Sequence, residues 1–229
     1  MSTISFHTVD GVEIIGEWNM PQDAHRAVLL LHMMPAARDS FFSLTQDLNK
    51  QGMATLAIDL RGHGESVRQL SGSSLNREAM DYGIALDYKT FDDLGHQKSR
   101  LDVDAAVNFI KKNGFTEKQI YVVGASIGAN LALDTLDRYV ELRKAVLLSP
   151  GLDYRGIKAD HSLKGLEPGQ SVWIVTSKLD EYATESSQKL FQQDMTKVKL
   201  TVVDGSDHGT NMFISHGELQ EQIAGYLKE

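Results

Sequence analysis

Residues 122–130 read VVGASIGAN and set Ser126 between two small residues, with Gly124 and Gly128 two positions to either side. A serine hydroxyl is a weak nucleophile at neutral pH. It needs a base to take its proton and a carboxylate to orient that base. The Gly-x-Ser-x-Gly string is short, and its setting is what gives it weight. It follows the apolar run 120–124 and opens a helical pattern at Ile127, so the serine falls on a tight strand-to-helix turn. Glycines on both sides let crossing chains approach closely, and the helix N-terminus offers free N–H groups and partial positive charge to a developing oxyanion. Only loops at the C-terminal ends of sheet strands can reach such a turn. Two of them carry suitable partners: Asp180, with Glu181 beside it, after the run 171–177, and His208 after the run 197–203. The other histidines fall in the opening hairpin (His7, His25), in irregular stretches (His96, His161), inside loop motifs (His32, His63) or at the start of the last helix (His216).

These residues need a scaffold, and the apolar pattern supplies one. Asp10-Gly11 separates ISFHTV from VEIIGEWNM and predicts a hairpin. The run 27–34 is continuously apolar at strand length, as a strand buried on both faces requires. Helical and strand patterns then alternate. A helix capped by Asp39-Ser40 carries Phe41, Leu44 and Leu48 and ends near Gly52; a strand follows at 53–60. A helix over 100–114, a strand ending at Ser126 and a helix from Ile127 come next. Strands near 144–151, 171–177 and 197–205 and helices near 184–195 and 217–229 complete the series. Strands alternating with helices of this length predict an α/β fold: a doubly wound, mostly parallel sheet of about eight strands with helices on both faces. With no repeat, linker or low-complexity tract, residues 1–229 read as a single domain. The stretches 67–98 and 151–170 break the alternation, and long excursions in compact domains tend to be lids or active-site loops.

Composition narrows the function classes. A net charge of −8 argues against a nucleic-acid surface, which needs excess Lys and Arg on one face. The absence of cysteine removes disulfides, a thiolate nucleophile and Cys-ligated metals, and no His or acidic cluster has metal-ligand spacing. The first fifteen residues lack a basic segment followed by an apolar one, and no apolar run approaches the roughly 20 residues that span a bilayer. The expectation is a soluble cytoplasmic protein with no cofactor, no metal and no membrane partner, as a monomer or homodimer.

Other segments carry a resemblance. DLRGHGES (59–66) resembles the Asp-x-Arg-Gly-x-Gly-x-Ser segment of α/β hydrolases, and LLLHMMPAARDSF (29–41) resembles their His-Gly-x oxyanion segment. VTSKLDEY (175–182) and DGSDHGTNMF (204–213) resemble their acid and histidine loops. With the elbow, these are five motifs in the family's order, covering nearly the whole chain. The resemblance implies Ser126 as nucleophile, Asp180 as acid and His208 as base, in that chain order. It also implies an oxyanion hole from the backbone N–H groups of Ile127 and Met34. One departure stands out: Met33 occupies the family's usual glycine position, where a side chain narrows the backbone options, and Pro35 biases Met34 toward extended geometry. Met33 reads either as core or as part of an adaptable acyl pocket with Tyr82, Met212 and Phe213. The implied activity is hydrolysis of carboxylic esters with small to medium acyl groups. Thioesterase, amidase or peptidase and cofactor-free perhydrolase activities share the same residues, and a ligand-binding protein without turnover shares the fold.

Overall fold

The computed structural model describes residues 2–71 and 83–229. Among these the strands are β1 (Ser2–His7), β2 (Val12–Asn19), β3 (Arg26–Leu31), β4 (Met53–Ile58), β5 (Arg68–Gln69) and β6 (Ile84–Ala85). They continue as β7 (Ile120–Ala125), β8 (Lys144–Leu148), β9 (Asp153–Tyr154), β10 (Ile157–Lys158), β11 (Ser171–Ser177) and β12 (Val198–Val203). The helices are α1 (Phe42–Lys50), α2 (Asp93–Gln97), α3 (Ser99–Lys112), α4 (Ile127–Arg138), α5 (Ala159–Lys164), α6 (Glu181–Gln193), α7 (Met212–Ser215) and α8 (Glu218–Lys228).

One sheet organises the chain. Its order is β12-β11-β8-β7-β3-β4-β2-β5-β6, with β1 paired to β2. The six strands from β4 to β12 along that order run parallel, and β2 joins β4 antiparallel. The eight long strands match the expected count. The two-residue strands β5 and β6 are additions from the irregular stretch 67–98, where β5 pairs with the start of β2. The parallel strands are apolar throughout because both of their faces are covered. On β3, Ala27, Leu29 and Leu31 pack with Val103, Val107 and Ile110 of α3 and with α4. Val28 and Leu30, pointing the other way, pack with Leu44 and Leu48 of α1 and with Ile223 and Leu227 of α8. Strands β7, β8 and β11 repeat this alternation, so one period-2 pattern feeds two cores. Each fully buried aliphatic contributes roughly 1.5–3 kcal/mol.

Two local readings change. Asp39 and Ser40 do not cap α1. The chain enters it through a 3-10 turn over Arg38–Phe41, and Phe41 holds the cap position without a side-chain bond. The cause is buried Asp59, which accepts the Arg38 N–H at 2.8 Å and the Glu65 N–H at 2.9 Å and ties the turn to the loop after β4. The stretch 151–170 is not irregular: it folds into the β9–β10 hairpin and α5. The described part of 67–98 is anchored on the loop after β4 by Leu86 N–H to Val67 O and Tyr88 N–H to Gly62 O. Tyr82 lies outside the described residues. No helix among the described residues is long and apolar enough to cross a membrane.

Candidate active site

Ser126 sits between β7 and α4 with φ +55° and ψ −120°. Such a conformation is costly for a residue with a Cβ, on the order of 1–3 kcal/mol, and persists only where surroundings impose it. Here they do. The Ser126 N–H donates to Leu148 O at 2.8 Å, and the Ser126 carbonyl accepts from Ala129 and Asn130 N–H. A methyl group on Gly124 would overlap the Gly128 carbonyl, and one on Gly128 would overlap the Leu31 carbonyl. Both glycines are therefore required by contact: the ends of β3 and β7 and the first turn of α4 lie against one another.

Asp180 begins α6 and accepts the Thr184 N–H on its backbone carbonyl at 2.8 Å. Its carboxylate does not cap that helix, a role worth about 1 kcal/mol. It turns instead to His208, whose Nδ1 lies 2.7 Å from Asp180 Oδ2. Glu181 is exposed on the first turn of α6, and Asp207 accepts a bond from the Ser215 hydroxyl, so neither neighbouring carboxylate makes this contact. The His208 loop is held to the sheet by the next residue: Gly209 N–H donates to the Ser149 hydroxyl at 3.0 Å. A side chain on Gly209 would strike Ala125 Cβ at 3.3 Å, which places this loop beside the elbow.

Tyr154, on β9, connects the two halves. Its phenol lies beside the Ser126 side chain, and its ring stands edge-on to the His208 ring with centroids 6.4 Å apart. Burial first, and then the Asp180 charge, push the phenol up to about 12, so it is neutral across the physiological range. The ring packs against Tyr182 at 5.5 Å, and the Tyr182 hydroxyl closes a pair of bonds with the Asp153 backbone. Sequence reasoning missed Tyr154. The available signal was the length of 151–170, which marked the stretch without singling out a residue.

The segment after β3 is braced by His32. Its Nε2 accepts the Leu60 N–H at 3.0 Å, so Nδ1 carries the proton and donates to Met33 O at 2.9 Å. Full burial lowers this imidazole to about 4 and keeps it neutral. With the Met33 carbonyl fixed, the Met34 N–H of the same trans peptide points away from the ring. The Met34–Pro35 bond is cis. Ile127 is the first residue of α4, where N–H groups have no intrahelical acceptor.

The expected acyl pocket is not built from the expected residues. Met33 is buried with Phe41, Met212 and Phe213 in the core between the sheet and helices α1 and α8. Its sulfur lies where a Gly209 side chain would have to go, so Met33 fills space under the histidine loop. Met212 is fully buried and Phe213 packs against Phe41 at 6.4 Å. A different cavity, of about 370 Å³, meets the candidate site at Met34 and is lined also by Pro35, Tyr88, Lys89, Phe91, His96 and Arg155. Among the described residues no group of three or more His, Asp or Glu side chains could hold a metal ion.

Comparisons with known proteins agree with this architecture. A family model described as serine aminopeptidase, S33, matches residues 22–209. A serine hydrolase-like protein of Dictyostelium discoideum is 29% identical over 98 residues, 41% of this chain and only 27% of that protein. An esterase of Pyrococcus furiosus superposes with a TM-score of 0.76 at 20% identity, covering 99% of this chain and 89% of that one. A CIB-like hydrolase of Thermoplasma acidophilum gives a TM-score of 0.72 at 17% identity over 100% of this chain and 99% of the other. At such identities the solved structures speak for the fold, while the family match spans most of the sequence. The chain belongs to the serine aminopeptidase (S33) family of α/β hydrolases.

Proposed function

We propose that the protein is a serine hydrolase that cleaves carboxylic esters with small to medium acyl groups. The observation that carries this reading is Ser126, held at φ +55° on a buried turn with the Asp180–His208 pair alongside. A fold has no use for a strained serine there; a nucleophile does.

In the proposed mechanism His208 takes the Ser126 proton as Oγ attacks the ester carbonyl. Asp180 accepts the Nδ1 proton of His208, fixing the tautomer and stabilising the imidazolium. The N–H groups of Met34 and Ile127 stabilise the tetrahedral oxyanion. His32 substitutes for the missing glycine's conformational freedom by clamping the Met33 carbonyl, which sets the direction of the Met34 N–H. The alkoxide leaves with the proton from His208, and water deprotonated by His208 then releases the acid.

Esters are favoured over amino-terminal peptides, which the family's description raises, by the charge of the adjoining cavity. It presents Lys89 and Arg155 and no lining carboxylate, a poor match for an α-ammonium group. Between β8 and β11 only the β9–β10 hairpin and α5 intervene, which leaves room for modest acyl chains. The test is labelling with a fluorophosphonate together with hydrolysis of aryl esters, thioesters and anilides of graded chain length, with Ser126→Ala as control. Ester turnover lost in the alanine variant supports the reading. Turnover that persists in it refutes the nucleophile, and labelling without turnover points to a binding protein.

A further inference from the structure

Resting on the hydrolase reading, we infer that the ester this site accepts carries a carboxylate, joined to the reacting carbonyl through an apolar or aromatic spacer and held between Lys89 and Arg155. The cavity that would receive it is lined by Met34, the proposed oxyanion donor, and by Arg155, whose chain neighbour Tyr154 stands edge-on to the His208 ring. An ester whose carbonyl is held at Ser126 would reach it past Met34.

Its lining combines aromatic and cationic side chains. Tyr88 lies flat on the buried His63 ring, with centroids 3.9 Å apart, and Phe91 meets His96 edge-on at 5.6 Å. These rings, with Met34 and Pro35, supply apolar surface, and Lys89 and Arg155 supply positive charge. Lys89 has its ammonium 5.9 Å from the Tyr88 ring centroid and, among the described residues, no carboxylate partner. Arg155 sits in the tight β9–β10 turn at φ +57°, and the following Gly156 abuts the Gln97 side chain, so the turn is pressed against α2.

Three carboxylates lie nearby. Asp93 is 3.6 Å from the Arg155 guanidinium, with both side chains more than half exposed, a pairing worth little in water. Asp92 and Asp87 are engaged by the backbone N–H groups of Gly95 and Lys89. None of the three lines the cavity. His96 does, and burial followed by the Arg155 charge holds its imidazole below the usual range, so it offers a neutral polar group. On a chain of net charge −8, two cations facing one small cavity next to the nucleophile select for an anion.

Two pairs of probes differ in charge but little in shape: 4-acetoxybenzoate against its methyl ester, and mono-4-nitrophenyl adipate against 4-nitrophenyl hexanoate. The first puts the carboxylate in the alcohol part, the second in the acid part. The expected result is a kcat/KM about tenfold higher, or about 1.4 kcal/mol, for the charged member of one pair at low salt. In a Lys89→Gln/Arg155→Gln variant the charged-to-neutral ratio falls toward one. Binding to Ser126→Ala, measured by calorimetry, needs no turnover and separates the two readings. Tighter binding of the carboxylates there, with no turnover by the unaltered protein, overturns the hydrolase reading alone. Turnover of neutral esters without any preference for the carboxylates, or with a preference that the double variant retains, overturns the inference and leaves the hydrolase standing.

Discussion

Replacing Ser126 with glycine and with alanine removes the same hydroxyl and the same polar contacts, so the difference between the two variants isolates the backbone. At φ +55° and ψ −120° the alanine keeps the conformational cost of about 1–3 kcal/mol that glycine does not have. Two effects run the other way. Glycine gains unfolded-state freedom, about 0.4–1 kcal/mol, and it gives up one buried methyl group, at most about 0.8 kcal/mol. At an ordinary negative φ these two would leave the glycine variant roughly 1–2 kcal/mol less stable. With the strain included, Ser126→Gly is expected to lie between about 1 kcal/mol below and about 2 kcal/mol above Ser126→Ala. For a chain of this size each kcal/mol moves Tm by about 2–4 °C, so thermal melting and urea unfolding both resolve it. If the glycine variant unfolds more than about 1 kcal/mol below the alanine variant, the turn is not strained and the main argument for a nucleophile fails. No substrate is needed for this measurement.

Acidification should destabilise the fold before carboxylates dominate. His32 and His63 are each lowered to about 4 by burial, with mutual repulsion adding to the shift at His63, whereas unfolded histidines titrate near 6.5. The unfolded chain therefore binds more protons below pH 6.5, and stability is lost as pH falls from there toward 4. Burial lifts Asp102 to about 6 against the pull of Arg61, which offsets part of the loss below pH 6. The net expectation is about 2–3 kcal/mol less stability at pH 5 than at pH 7; urea midpoints that do not move would contradict it. Tyr154→Phe keeps the ring packing and removes the hydroxyl beside the Ser126 side chain, so kcat for aryl esters should fall about tenfold with little change in KM. Unchanged kcat would make Tyr154 a packing residue only. Asp180→Asn should lower kcat by about 10³–10⁴, while Glu181→Gln, exposed on α6, should not, and the reverse order would reassign the acid.

Much of this was legible in the chain because it depends on local periodicity and short steric rules. The parallel strands announce themselves as unbroken apolar runs, since burial on both faces leaves no polar alternation to confuse the pattern. The helices announce theirs through Leu44, Leu48, Ile223 and Leu227 at helical spacing. Gly124 and Gly128 flank Ser126 because the chains touch there, and a contact that excludes even a methyl group leaves its mark in sequence. What the sequence could not decide is where long-range contacts send a side chain. Asp180 and His208 are legible as strand-end partners, but which oxygen meets Nδ1, and that the carboxylate leaves the start of α6 uncapped to do so, depends on how β11 and β12 end side by side. Met33, Met212 and Phe213 were placed in a pocket by proximity to the site motifs, but a side chain there can point up into the cleft or down into the core. The packing of α1, α7 and α8 sends all three down. Tyr154 shows the same limit from the other side. Its phenol meets Ser126 only because β9 folds back over the end of β8, a juxtaposition set by packing and hydrogen bonds between segments rather than by any pattern within one.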